Sequence, residues 1–185
     1  MIPVLIVVGV LVVGVLIVMS AYNGLVSLRN QVKNAWQQIG VQLKRRHDLI
    51  PNLVEVVKDA MGYEQETLEK VIKARNAAIG ATGVAGSAAA EGALTGALRS
   101  LFAVVEAYPQ LKANENVGRL QEELTSTENR IAFARQYYND SVTGYNTRLQ
   151  TIPTNFIANL AGFREEPFFE VPAEEQGPVK VDLRP

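Results

Sequence analysis

Apolar residues run from Val4 to Met19, interrupted only by Gly9 and Gly14, and no charged side chain occurs before Arg29. Eight Val, three Ile and three Leu lie between Ile2 and Met19. A run of about 20 such residues crosses ~30 Å of hydrocarbon, and at roughly −0.3 to −0.6 kcal/mol per apolar residue its insertion is favourable by several kcal/mol. A buried core helix would alternate apolar and polar faces. A cleaved signal peptide would open with basic residues, which Met1-Ile2-Pro3 lacks. The pattern therefore predicts a membrane-spanning anchor over residues 1–21, with Tyr22 at the lipid interface. Arg29 and Lys33 are the basic residues near its end, which predicts the N-terminus outside and the rest of the chain cytoplasmic.

Beyond the anchor the period becomes helical. Leu25, Leu28, Val32, Trp36, Ile39, Leu43, Ile50, Val54, Val57 and Met61 recur at steps of three, four and seven, as one face of a helix does. Pro51 removes an amide donor and crowds the carbonyl of His47. Phase survives it, however, which predicts one long kinked helix from Tyr22 to Met61. Gly62 marks a bend, and a second helix is expected over Glu64 to Ala78. The stretch Gly80 to Ala97 holds five Gly and seven Ala, and its first half reads as a loop. A third helix is expected from Ala88 to Tyr108, ended by Pro109. The fourth, Val117 to Ile152, has the clearest heptad, with Leu124, Ile131, Tyr138, Val142, Tyr145 and Leu149 on one stripe. After Pro153, Thr154 is expected to cap a short helix. The acidic, proline-rich tail from Arg164, including Val179-Lys180-Val181, reads as extended or disordered.

The predicted fold class is all-α: an N-terminal transmembrane helix continuing into an elongated antiparallel four-helix bundle with long first and last helices. The anchor occupies 1–21, the bundle 22–163 and the tail 164–185.

The whole chain of 185 residues carries 18 Lys+Arg, 19 Asp+Glu, one His and no Cys. Near-neutral charge argues against nucleic-acid binding, which needs a basic face. The absence of Cys removes disulfides, zinc knuckles and thiol catalysis. His47, with no second His and no Glu-x-x-His, is expected to make a polar contact on a helix surface rather than to bind metal. No catalytic residue, cofactor, metal or small-molecule substrate is predicted, and the protein is not expected to be an enzyme. Lys44, Arg45 and Arg46 lie too far up a straight helix from the anchor to reach lipid within a ~8 Å screening length. They are expected to pair with acidic residues on the fourth helix or a neighbouring chain. Glu106 and Glu128 are expected to pair with Arg75 or Arg135, and Trp36, Tyr138 and Tyr145 to pack in the core.

Three ordered blocks carry a family resemblance. The first joins Tyr22-Asn23, Arg29-Asn30, Ala35-Trp36 and Val41-Gln42-Leu43-Lys44-Arg45-Arg46 to Asp48-Leu49-Ile50-Pro51-Asn52-Leu53. The second is Lys73-Ala74-Arg75 with Glu106-Ala107-Tyr108-Pro109-Gln110-Leu111-Lys112-Ala113. The third runs from Leu120-Gln121 through Arg130-Ile131, Ala134-Arg135, Tyr138-Asn139 and Tyr145-Asn146 to Pro153-Thr154 and Gly162-Phe163. With these blocks the sequence resembles the LemA family of bacterial single-pass membrane proteins over nearly its whole length. The resemblance implies an N-terminal anchor in the bacterial cytoplasmic (inner) membrane and a bundle of long antiparallel helices, with no established enzymatic activity.

Two short helices cannot cover two long ones. The stripe of Leu25, Leu28, Val32, Val142, Tyr145, Leu149 and Ile152 is therefore expected to stay bare within one chain and to meet a second copy. Tyr22, Phe156, Ile157, Leu160, Phe163, Phe168 and Phe169 are expected at the membrane interface. The function these features suggest is a membrane-anchored scaffold that self-assembles and organises the membrane or membrane proteins. The other reading is a monomeric membrane adaptor for a protease or signalling system. Expected partners are the bilayer, further copies of the chain and other membrane proteins.

Overall fold

The computed structural model describes residues 1–58 and 65–170. Among the described residues there are six helices and no strand: α1 Ile2–Lys58, α2 Gln65–Gly80, α3 Gly83–Ala107, α4 Pro109–Lys112, α5 Glu115–Gln150 and α6 Thr154–Ala161. The expected positions of Met61, the Gly62 bend, the start of a helix at Glu64 and the tail from 171, with Val179-Lys180-Val181, lie outside the described residues.

α1 is continuous through Pro51, as the apolar phase predicts. α3 stops because the residue before a proline is pushed out of the helical region, and Tyr108, before Pro109, is extended at φ −106°, ψ 102°. The Gly- and Ala-rich stretch is helix and not loop. Only Ala81 and Thr82 break it, and α3 begins at Gly83. Alanine is the best helix former, so seven alanines outweigh the glycines, and Ala88, Glu91, Leu94 and Leu98 fall on one buried face. α3 is long and apolar enough to cross a membrane by length and composition, yet Leu94, Leu98, Leu101 and Val105 are buried in the protein core.

The chain divides into two compact units. Among the described residues, one comprises Met1–Gly40 with Phe133–Phe168, the other the rest from Val41 to Ala132 with Phe169 and Glu170. In the first unit, residues 2–20 of α1 are exposed throughout and, by composition, apolar enough to cross a membrane. Burial starts at Ala21 and continues through Leu25, Val32, Ala35 and Ile39, with Tyr138, Val142 and Tyr145 from α5 and Ala158 from α6. Trp36 packs against Tyr138 with ring centroids 5.7 Å apart. The third side is closed by α6 and the extended segment after it. In the second unit a single core draws on α1 (Ile50, Leu53, Val57), α2 (Leu68, Val71), α3 (Leu94, Leu98, Leu101), α4 (Leu111) and α5 (Val117, Leu124).

The segment after α6 is ordered where it is described. Gly162 takes φ 74°, a conformation glycine adopts without penalty. Its amide donates to the Asn159 carbonyl (3.3 Å) and the Phe163 amide to the Ala158 carbonyl (3.0 Å), the double bond of a Schellman cap. Residues 163–168 then run extended, without helix or strand. Thr154 does not cap α6. It is the first helical residue, fully buried, and Pro153 stands at the cap position.

Candidate functional site

One turn of α1 in the second unit, immediately before Pro51, reaches three other helices. Successive helical residues point about 100° apart, so Arg45, Arg46 and His47 diverge. Arg45 pairs with Glu123 of α5. Arg46, 3% exposed, lies 3.3 Å from Glu91 of α3 and 3.1 Å from Glu128 of α5, and its guanidinium also donates to Thr95 Oγ1 at 2.8 Å. His47 Nε2 is 2.7 Å from Glu91 Oε1. Thr95 in turn donates to the Glu91 carbonyl.

The fourth contact explains how the proline is tolerated. In a regular helix the amide at position 51 would bond the His47 carbonyl, and Pro51 has no amide hydrogen. Arg75 of α2 takes the vacant place, its Nε donating to the His47 carbonyl at 2.7 Å. The break in the backbone ladder is thereby converted into a tie between α1 and α2. Chemically this clasp consists of one buried guanidinium satisfied by two carboxylates and a hydroxyl, with an imidazole sharing one carboxylate. Arg46, His47, Glu91 and Thr95 each bond at least one other member. Such an arrangement fixes which helices meet, and losing a single member exposes an unpaired buried charge.

His47 is therefore buried beside Glu91 and not on a helix surface as its neighbours suggested. The basic cluster does pair with α5, through Arg45–Glu123 and Arg46–Glu128, and Lys44 pairs within its own helix with Asp48. That exposed ammonium, as donor and as charge, holds the Asp48 carboxyl below its usual value. Glu128 goes to Arg46, Arg75 turns to a backbone carbonyl, and Glu106 is exposed, so the pairings expected for the two glutamates are revised. Glu91 escaped the sequence reading because it sat in a supposed loop. One signal was available, since Glu91 is the lone ionisable residue between Arg75 and Arg99, and an isolated charge in a run of small apolar residues is buried only with partners.

The first unit places the other predicted residues. Leu25, Val32, Val142 and Tyr145 are covered by the chain itself, at 4% exposure or less. Leu28 and Leu149 are half-buried, and Ile152 is exposed. The stripe expected to be bare is closed because residues 163–167 fold back along α1 and α5. Tyr138 donates its hydroxyl to the Pro167 carbonyl (2.8 Å). Asn146 bonds Glu166 twice, its amide to the carbonyl (2.9 Å) and its oxygen accepting the backbone amide (3.0 Å). Gln150 donates to Glu165 (2.7 Å), and Arg29 lies 3.9 Å from Glu166. The tail read as extended or disordered is thus, over 164–168, an extended strap with fixed partners. Burial, reinforced by the Glu166 charge, pushes the Tyr138 hydroxyl up to about 12. Burial also raises Tyr145.

Of the residues expected at the membrane interface, Tyr22, Phe156, Leu160 and Phe168 are exposed and Ile157 and Phe163 half-buried. Phe169 is buried at 3% exposure and is withdrawn from that surface. Tyr22 meets Phe163 edge-on with centroids 5.6 Å apart.

An all-helical body that continues, without interruption, a fully exposed apolar helix long enough to cross a membrane defines a membrane-associated helical protein. The LemA family model matches residues 35–183, and the chain belongs to the LemA family. Among curated relatives it is 25% identical to magnetosome protein MamQ 2 of Paramagnetospirillum magneticum, covering 80% of this chain and 64% of that one. It is 27% identical to magnetosome protein MamQ of Magnetospirillum gryphiswaldense, over 82% of this chain and 66% of the relative. Protein LemA of Metamycoplasma hominis is 27% identical, over 86% and 73%. The chain spans just under two thirds of the length of the MamQ relatives.

Proposed function

We propose that this protein is a non-enzymatic membrane scaffold, working in the bacterial cytoplasmic membrane by gathering further copies of itself and other membrane proteins. The observation that carries the reading is the join between span and body. α1 passes from its exposed apolar residues into Ala21, Leu25 and Val32 of a packed core with no intervening loop. A flexible linker would let the body sample many orientations, whereas a continuous helix fixes the angle at which its surfaces meet neighbours. The basic Arg29 and Lys33 just beyond the span support a body on the cytoplasmic side. With the stripe closed by the strap, the contact between copies shifts to apolar side chains left outside it, Phe133 and Tyr137, one turn apart on α5. Two of the relatives being named magnetosome proteins is in keeping with a role in organising membranes.

A second reading, the monomeric adaptor for a protease or signalling system, is favoured by the same burial of Leu25, Val32, Val142 and Tyr145, because a chain that covers its own stripe needs no second copy. Light scattering of the purified chain in detergent decides between them. A mass of several chains at micromolar concentration, reduced by Phe133→Ser, supports the scaffold. A monomeric mass rejects it and leaves the adaptor.

A further inference from the structure

We infer that α6 is a membrane-surface helix, whose outer face of Phe156 and Leu160, extended by Ile152, lies in the interfacial layer of the bilayer that residues 2–20 cross. α6 has two faces. Thr154 and Ala158 are buried against the first unit, while Phe156 is 68% exposed, Leu160 92% and the preceding Ile152 73%. Short helices that leave their largest apolar side chains outward and pack through small ones are suited to lying on a bilayer, the apolar face sunk to the headgroup boundary.

The position of α6 follows from its cap. The Schellman turn at Gly162 directs Phe163 away from the helix, and Phe163 rests against Tyr22. Tyr22 is the first aromatic residue after the exposed apolar run, the level at which tyrosine marks the interface of a spanning helix. The C-terminal end of α6 therefore sits where the span leaves the lipid. The strap's carboxylates do not oppose this, since Glu166 lies beside Arg29 and Glu165 accepts from Gln150, and Arg164 is exposed beside Phe163.

The occupant is lipid and not a second copy. At their fractional exposures and ~150–250 Å² per large side chain, Ile152, Phe156 and Leu160 present about 350–600 Å², short of the ~800 Å² per partner that a stable protein interface buries. The apolar face is also continuous with the span. The inference rests on residues 2–20 spanning the membrane and is independent of self-assembly.

The natural absence of cysteine permits single-site labelling of the full chain. Leu160→Cys, Phe156→Cys and Ile152→Cys, each carrying an environment-sensitive fluorophore, are reconstituted in phosphatidylcholine vesicles with and without lipid bearing a quencher just below the headgroup. Phe133→Cys is the control, an exposed apolar position about 25 Å along α5 from its end. Blue-shifted emission with about twofold or greater quenching at 152, 156 and 160, and no lipid quenching at 133, is expected for a face at the headgroup boundary. Water-like emission at all three, with the protein retained in the vesicle pellet after an alkaline wash, overturns the inference and leaves the span intact. Blue-shifted emission that lipid quencher does not touch overturns it in favour of a second copy. Release of the protein by the alkaline wash overturns the span and the inference together.

Discussion

The two compact units draw on the same two long helices, α1 and α5, and hold them by different means. In the first, the shared stripe is apolar, and the third side is supplied by an eight-residue helix and an extended strap whose backbone is bonded by Tyr138 and Asn146. In the second, the apolar core has helical partners on every side, yet it encloses Arg46, His47 and Glu91 at 9% exposure or less. Apolar packing tolerates sliding by a turn, because one leucine replaces another at modest cost. A buried charge does not, since every alternative register leaves it unpaired. The difference teaches that the polar residues specify which helices meet in the second unit, while in the first a backbone-bonded strap does so.

The contrast is broken most severely at Glu91. Glu91→Ala strands the buried Arg46 with Glu128 alone and should cost about 3–5 kcal/mol, measured by denaturant unfolding in detergent. Hydrogen exchange should rise over residues 41–58 and remain unchanged over 21–39. If exchange rises equally in both stretches, the clasp is not local to the second unit.

The all-helical class, the span and the core stripes were legible because they are periodic, and period survives any tertiary detail. The heptad of Val117 to Ile152 became α5, ending two residues earlier at Gln150, and the phase across Pro51 became a continuous α1. The clasp was half legible. Of the run Lys44, Arg45 and Arg46, only Lys44 has an acid one turn away, Asp48, so the two arginines had to find partners elsewhere, and α5 supplied them to both. Glu91 was missed because glycine content was given more weight than alanine, and Arg75 because a carbonyl freed by proline gives no sign in sequence of which donor will reach it. The strap was least legible. Its hold on α5 comes mainly from backbone groups of Glu166 and Pro167, which any residue carries, and composition alone reads charged, proline-bearing chain as disordered.

At Pro51 the effect is smaller and cyclic. Arg75→Ala leaves the His47 carbonyl without its donor and should destabilise by about 1.5–3 kcal/mol, as for a hydrogen bond to a charged group. In a Pro51→Ala background the restored amide serves that carbonyl, so the same substitution should cost less than half as much. Pro51→Ala alone should keep the fold with stability unchanged or raised. Equal costs for Arg75→Ala in both backgrounds would show that Arg75 does not replace the missing amide.

In the first unit, Asn146→Ala removes both bonds to Glu166 and should cost about 1–2 kcal/mol, with faster proteolysis over residues 164–168. Undiminished resistance would mean that the strap is held by its side chains. The smallest effect is at Tyr138. Its folded-state pKa of about 12 lies above the ordinary 10, so the fold favours the neutral phenol. Stability is whole below pH 10 and falls as pH rises toward 12. Tyr138→Phe should cost about 1 kcal/mol at neutral pH and flatten that alkaline decline. A decline of the same size in the variant would assign it to other groups.

Thiol accessibility tests most directly whether the chain closes its own stripe. Leu25→Cys and Val142→Cys, in full-length protein reconstituted in vesicles, should react with a soluble maleimide at least about a hundredfold more slowly than Val41→Cys at an exposed position of α1, because reaction requires local opening of a packed unit. Neither should form chain-to-chain disulfides under mild oxidation. Labelling of both as fast as Val41→Cys, or efficient disulfides between chains through either, would return the stripe to an interface between copies and contradict closure by the strap.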